Sequence, residues 1–540
     1  MAMRNSDVKK RFLGRVTEKM SIATVGVAAI LCAAATTTYA QRGDWSLTGG
    51  DPGQSGWQKD EQGLSPDSIA ANFKFLWKIK LGVPGKGMPS FSEPLLAGRL
   101  INGEGFKDLA YWSSDNTLYA VDSELGSLVW KKQFTSGKTT GPCSVSSLGV
   151  TMEPPLVINF NARRRPGAPA TPRPPEPPPA KASERKIGVA PGGGYFGLKG
   201  IYVLTPDGML HEQVMTTGAD FAQPVKFLPA ANASASGISF VDKAIYATTQ
   251  RDCSGVTNGL WSIDFAPGTY PVASYETAKI HTLSPSGPAL LSDGSAILVT
   301  GPGSAADNVY PSSVVVVGKD MKVKDWYTPE GGPESGFAQY ANVSPITFSY
   351  KEKQLVVAPG KDGSIALLDA ASLGGSDHHT PLAQSDPLAK SGEKHSWDGF
   401  AAWQDKSGTA WVFASVSAGV TLQGSGITTD GSATHGAIVA FKVADADGKL
   451  SLTPVWVSGD MINPAPPRVA NGVVVALAGG NSKSHAVLHV LNAATGAELY
   501  SSKNEIATWT GLSGVSVGDG HAFFTDHLNT LYSFGIGLEH

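Results

Sequence analysis

The sequence predicts an all-β chain closed into an eight-bladed β-propeller of four-stranded antiparallel blades, and three observations predict it. One phrase recurs from end to end: a β-rich run, a small or Asp/Gly turn, a second run and then an aromatic residue. It is clearest as Leu118-Tyr119-Ala120-Val121-Asp122 with Gly126 and Trp130, and again as Leu488-His489-Val490-Leu491-Asn492 with Gly496, Glu498, Leu499 and Tyr500. Weaker copies are Ile201 to Leu204, Leu260 to Asp264, Val314 to Val317 before Trp326, Ile365 to Asp369, Ala437 to Phe441 before Trp456, and Thr530 to Phe534. The eight copies have a mean spacing of 59 residues, room for four short strands and three turns but not the spacing of a helical solenoid. Composition supplies the third observation. The 540 residues include 63 Gly and 36 Pro, and only 16% are charged, against a usual share of roughly 25%. Such a turn-rich, lightly charged chain with 41% hydrophobic residues is globular and not disordered.

A four-stranded sheet cannot bury both of its faces alone. Stacking such sheets radially buries them against one another and leaves only short edges, which is the propeller solution. The ring also has to be closed. The last repeat stops at 534–537 without an outermost strand, whereas Phe73-Lys74-Phe75-Leu76-Trp77-Lys78-Ile79-Lys80 stands before the first complete unit and reads as an outermost strand with its Trp. The amino-terminal strand is therefore expected to complete the eighth blade. The other outer strands are expected near Trp130, Val214, Tyr275, Trp326, Leu382, Trp456 and Tyr500.

In chain order, residues 1–40 read as a signal peptide. Arg4, Lys9, Lys10, Arg11, Arg15 and Lys19 form a basic leader, 22–35 is a short apolar stretch, and Thr38-Tyr39-Ala40 offers small residues for cleavage after Ala40. The stretch is shorter than a membrane-spanning helix requires, and no later one is apolar enough to span. The leader lacks the paired arginines of a twin-arginine signal, and Leu31 before Cys32 argues against a lipoprotein. The mature chain is thus expected in the periplasm or outside the cell. Its 37 basic and 44 acidic residues give a net charge of −7, which offers nucleic acid no general attraction. Residues 41–64 form an amino-terminal arm, and 65–540 form the propeller. The segment 163–186 holds eight prolines and seven basic residues and cannot pair in a sheet, so it is read as a flexible insertion between two strands of the second blade; a proline-rich ligand for a partner is the alternative.

Removing the signal leaves Cys143 and Cys253. They form either two free thiols or a disulfide, and a disulfide would close a loop of 111 residues and constrain the unfolded chain by roughly 4 to 5 kcal/mol. The second-to-third strand turns and the blade-to-blade connections share one face of a propeller, and this would put both cysteines on that face. The long connections 191–200, 250–258, 302–311 and 417–436 are assigned to the same face, where unequal loops on a rigid ring carry binding specificity. Innermost strands are expected to begin at a recurrent Pro motif: Glu93-Pro94, Glu153-Pro154, Gln223-Pro224, Gly287-Pro288, Ser344-Pro345 and Asn463-Pro464, with Trp397-Asp398-Gly399 as the counterpart in the sixth blade. Glu93, Glu153, Gln223, Ser344, Asp398 and Asn463 would then form a polar ring at the axial mouth, able to hold a cation, water or a polar ligand. A wet channel without a ligand is the plainer reading. His378-His379 with His395 lacks a recognisable metal-ligand spacing, and there is no Walker glycine loop, His-Glu-x-x-His run or nucleophile elbow.

The phrases around Leu118 to Trp130 and Leu491 to Leu499 resemble the pyrroloquinoline quinone (PQQ) repeats of quinoprotein alcohol dehydrogenases and their relatives, and the opening Trp45 to Asp51 with Gly49-Gly50-Asp51 resembles the start of those chains. Asp252-Cys253-Ser254-Gly255-Val256, Asn258-Gly259, Trp261 and 461–467 are similar to a group of secreted bacterial proteins with this PQQ-like propeller. The resemblance covers nearly the whole mature chain and implies a quinoprotein-like fold. In the dehydrogenases it implies PQQ in the axial funnel against a disulfide of adjacent cysteines, with calcium held by Glu and Asn and an Asp as base. This chain has no adjacent cysteines and no clear match to the calcium-binding Asn or the base. The expected function is therefore an exported, monomeric binding or scaffold propeller for an envelope or extracellular protein or a small polar ligand. A PQQ- and calcium-dependent dehydrogenase of alcohols or sugars is the alternative.

Overall fold

The structure is a computed structural model that describes residues 43–81, 92–102, 105–114, 116–135, 148–152, 187, 200–229, 234–250, 257–266, 268–282, 284, 286–330, 343–360, 363–388, 397–420, 422, 426–510 and 514–537. The chain divides into 1–41 and 42–540, and every described residue lies in the second unit. The signal-peptide reading of 1–40, the proline-rich insertion and both Cys143 and Cys253 fall outside the described residues.

Eight antiparallel four-stranded sheets follow one another in the chain, as the repeat predicts. Their innermost strands are Leu95–Asn102, Gly149–Met152, Ser234–Val241, Ala289–Leu290, Ile346–Tyr350, Trp397–Gln404, Arg468–Ala470 and Ser516–Gly518. The middle strands carry apolar residues on both faces because each blade is covered on both sides by its neighbours. Val314–Val317 in the fourth blade is four buried valines in a row. Two blades take a fifth, parallel strand: Thr428–Thr429 beside Trp456 and Val457, and Trp57–Gln58 beside Val469 and Ala470.

The ring closes as expected. Phe73–Lys80 pairs antiparallel with Thr530–Ile536, with Phe75 opposite Phe534 and Ile79 opposite Leu531. Lys74, Lys78 and Lys80 alternate outward on this edge, where charge discourages pairing with another chain. A helix of about two turns, Pro66–Asn72, leads into the strand. Ser65 and Ser68 cap it reciprocally, Pro66 stands at its first position, and Ile69 is buried beneath it.

Seven of the eight repeat phrases fall on the third strand of their blades. The second blade differs. Its innermost described strand is Gly149–Met152, the insertion follows that strand, and Gly200–Leu204, which carries the phrase, is the second strand. Val214 accordingly ends the third strand, and the outermost strand is the two-residue Val225–Lys226. The expected connections 191–200 and 250–258 lie almost wholly outside the described residues. The expected outer strand near Leu382 is present but short, Ala383–Gln384.

Adjacent blades are locked by one repeated contact. Trp77, Trp130 and Trp456 on outermost strands donate their indole N–H to the carbonyls of Ser123, Met215 and Ala493 in turns of the next blade, at 3.0, 2.9 and 3.0 Å. Each ring lies flat over a turn glycine with positive φ, where a Cβ on Gly126, Gly218 or Gly496 would meet the indole at 2.5, 2.5 and 2.7 Å. This explains the Asp-x-x-x-Gly spacing of the repeat: the glycine makes the turn and leaves room for the neighbour's indole. Trp326 has a different partner. It stacks between Tyr310 and His378, with centroids 4.1 and 3.7 Å away.

Gly496→Val should cost about 1 to 3 kcal/mol more than Gly448→Val. Both positions have φ above +70°, but a Cβ at Gly448 meets nothing within 4 Å. Pulse proteolysis across a urea series measures the difference, and equal losses would remove the indole from the account.

Candidate functional site

The polar ring expected at the axial mouth is only partly assembled. Glu93, Ser344 and the strand containing Asp398 do stand at or just before the starts of innermost strands. Gln223 does not: Gln223-Pro224 leads into Val225–Lys226, the outermost strand of the second blade, and its side chain is exposed. The Pro motif marks a strand start there, but sequence alone cannot say whether that strand is first or fourth. Glu153 is outside the described residues and follows Gly149–Met152 instead of preceding it. Asn463 is exposed five residues before its strand, and its amide donates to the Gly480 carbonyl at 2.8 Å. The Ser344 hydroxyl accepts from the Ser286 N–H at 3.2 Å.

What lies along the inner edges of the blades is the amino-terminal arm. Trp45 pairs with Leu96 of the first blade, and the Ser46 carbonyl accepts from Met152 of the second. Pro52 accepts from Leu290 of the fourth, Gly53 from Thr347 of the fifth, Ser55 from Ala402 of the sixth and Gly56 from Val469 of the seventh. The Gln58 amide then reaches the Val517 carbonyl of the eighth. Read in order, residues 45–58 bond to the first, second, fourth, fifth, sixth, seventh and eighth blades, following the ring round its inside. The arm bonds at different levels of the inner strands: Leu96, Thr347 and Val469 are second residues of their strands, whereas Ala402 is the sixth and Met152 the last.

Gly49-Gly50-Asp51 makes this path possible. Both glycines have positive φ, and a Cβ on Gly50 would strike the Trp45 ring at 2.7 Å, so the chain curls tightly over that indole. Asp51 holds the return by accepting from the Ser55 N–H at 2.9 Å and the Ser55 hydroxyl at 2.6 Å. The Gln54 amide lies against the carbonyls of Ser286, Gly287 and Pro288, the Pro motif of the fourth blade.

The chemistry of Glu93 follows from this arm. Its Oε1 accepts from the Trp45 indole at 2.6 Å and the Gly49 N–H at 3.1 Å, and its Oε2 accepts from Arg468 Nη2 at 2.6 Å. The acid and the guanidinium are 4% and 5% exposed, a buried ion pair. Arg468 is saturated further by the carbonyls of Val515 and Pro467, and it lies 5.6 Å from the Trp45 ring centroid. Both carboxylate oxygens are thus committed to protein donors. Glu93 is the one carboxylate of the expected ring whose side chain is described, and its two oxygens are taken by protein donors.

Trp45 and Arg468 were not anticipated as partners of Glu93. The signal for Trp45 was an aromatic residue in a glycine-rich arm, since a buried indole needs a hydrogen-bond acceptor. Arg468, after Pro466-Pro467, carried none. The His378-His379 pair is engaged by protein: His378 Nδ1 lies 3.0 Å from Asp325 Oδ1, and His379 Nδ1 lies 2.7 Å from the Thr328 carbonyl. His395 is outside the described residues.

Comparison with solved structures places the fold. The chain is similar to quinohemoprotein alcohol dehydrogenase from Comamonas testosteroni, with TM-score 0.53 and 13% identity over 93% of this chain and 82% of that one. It is similar to quinohemoprotein alcohol dehydrogenase ADHIIG from Pseudomonas putida HK5, with TM-score 0.53 and 12% identity over 92% and 81%. At this identity the likeness is one of fold: a quinoprotein-like eight-bladed propeller. No protein-family model and no curated protein matches the sequence.

Arg468→Met alone leaves the Glu93 charge buried and should cost about 3 to 5 kcal/mol. Adding Glu93→Gln removes that charge and keeps an oxygen for Trp45, so the double variant should recover most of the loss. Urea unfolding of the wild type, the two single variants and the double variant measures this coupling.

Proposed function

We propose that this chain is an exported β-propeller binding module that presents the connections of one face to an envelope or extracellular protein or to a small polar ligand. The observation that carries the reading is the commitment of Glu93. The carboxylate best placed to serve a cofactor at the axial mouth anchors the chain's own arm through Trp45, Gly49 and Arg468. A ring braced from inside by its own amino-terminal segment is a rigid platform, and unequal loops on such a platform carry selectivity. On this reading the connections 302–311 and 417–436 belong to the presenting face, and 417–436 is long enough to add Thr428–Thr429 to its own blade.

A second reading is favoured by one observation, the likeness of fold to two quinohemoprotein alcohol dehydrogenases. On that reading the chain would oxidise alcohols or sugars with PQQ and calcium. Export belongs to the proposal and rests on the basic leader and short apolar stretch of 1–40. So does a disulfide between Cys143 and Cys253, which rests on the even mature cysteine count and a shared face.

Two measurements test these readings. Purified protein mixed with PQQ and CaCl2 should show no stoichiometric quinone binding and no dye-linked oxidation of an alcohol and sugar panel. Tight binding with turnover that Asp398→Asn abolishes would establish the dehydrogenase reading instead. Mass spectrometry of a non-reducing digest of exported protein should find the Cys143 and Cys253 peptides linked, and free thiols at both positions would remove the disulfide.

A further inference from the structure

The innermost strand of each blade has no further strand of its own sheet to pair with, and the amino-terminal arm answers that open edge. The backbone N–H groups of Leu96, Met152, Leu290, Thr347, Ala402 and Val469, each from the innermost strand of a different blade, donate to the carbonyls of Trp45, Ser46, Pro52, Gly53, Ser55 and Gly56 at 2.7 to 3.0 Å. All six donor residues are buried. Buried N–H groups need acceptors, and an open sheet edge is the feature that takes up an extended peptide.

The seat also selects side chains. Trp45 is fully buried, with its indole N–H on Glu93 and its ring beside Arg468. Gln54 is 3% exposed and donates its amide to the carbonyls of Ser286, Gly287 and Pro288 at 3.0, 3.0 and 3.1 Å. Gly53 and Gly56 leave no room for larger residues: a Cβ would meet the Thr347 carbonyl oxygen at 2.5 Å and the Ala401 Cβ at 2.9 Å. A tryptophan anchor, a glutamine and two glycines are thus read by the ring, and the remaining contacts are to the arm's backbone.

The arm carries its own shape. The Gly50 N–H donates to Leu47, Gln54 to Asp51 and Gly56 to Gly49, at 2.9, 2.8 and 3.0 Å, and Asp51 accepts from both the N–H and the hydroxyl of Ser55. These bonds lie within 45–58, whereas the ring partners lie at position 93 or beyond. A segment held in its bound shape by its own contacts loses less freedom when it docks.

We propose that the inner edge of the ring is a peptide-binding site and that residues 45–58 are its ligand in cis, a tryptophan-led, glycine-containing peptide that also binds as a separate chain. The covalent link keeps the arm at an effective concentration of about the millimolar range, but it makes none of the contacts that recognise it. A substitution that weakens the tethered arm therefore opens the site to the same sequence supplied in trans.

The test uses the full mature chain carrying Trp45→Ala and a fluorescein-labelled synthetic peptide of residues 43–58. Fluorescence anisotropy should show one peptide bound per variant chain, and binding to the wild type, whose own arm fills the seat, should be at least about tenfold weaker. The peptide should also raise the thermal unfolding midpoint of the variant. Peptides carrying Trp45→Ala or Gly53→Val should bind the variant at least about tenfold more weakly than the native peptide. Gln54→Ala in the full chain is a milder change that keeps the tryptophan anchor, and it should admit the peptide to an intermediate degree. Circular dichroism confirms that each variant is folded. Folded variants that bind no peptide overturn the proposal. So do substituted peptides that bind as well as the native one, and so does a wild type that binds as much as the variants, because the peptide would then lie outside the seat.

Discussion

A closed ring is only as strong as the place where its two ends meet, and in this chain that place is tied by one buried ion pair. Arg468 begins the innermost strand of the seventh blade, bonds the Val515 carbonyl just before the eighth, and ends on Glu93 just before the first. Three consecutive blade starts are thereby joined by a single guanidinium. The Ser516 hydroxyl adds a further stitch to the Pro94 carbonyl. A buried pair of this kind is costly to desolvate, and it is tolerable here because nearly every polar position is used: Glu93 takes Trp45 and Gly49 besides Arg468, and Arg468 takes two carbonyls besides Glu93. Removing either partner would strand a full charge in the interior.

The arm depends on this pair and in turn completes it. Trp45 is fully buried and hydrogen-bonded to Glu93, with its ring beside the guanidinium. From that anchor, 45–58 goes round the ring and supplies inner-edge hydrogen bonds that the innermost strands could not make to one another. The outer circumference is handled differently, by the indoles of Trp77, Trp130 and Trp456 seated on glycines of the next blade. Inside and outside are therefore locked by separate devices, and the closing blade uses both, since Phe73–Lys80 carries Trp77 and follows directly from the arm.

These contacts also bear on function. A propeller whose axial mouth is lined by uncommitted carboxylates is prepared for a metal or cofactor, whereas here the described carboxylate at the mouth is spent on holding the scaffold together. The fold shared with the quinohemoprotein alcohol dehydrogenases supplies the platform, and fold alone does not transfer their chemistry.

The fold was legible in the sequence because it rests on local patterns that repeat. Strand alternation, the Asp-x-x-x-Gly turn and the trailing aromatic are each set by neighbours within about ten residues, and the surplus strand Phe73–Lys80 announced its role by lacking a blade of its own. The second blade was misread by one strand because a long insertion displaced its phrase from the third strand to the second, and Gln223 was carried to the outer edge with it. Only the tertiary structure decided the rest. The partners of Glu93 come from positions 45, 49 and 468. Contacts between residues so far apart exist only once the ring has closed and brought the chain's beginning against its end.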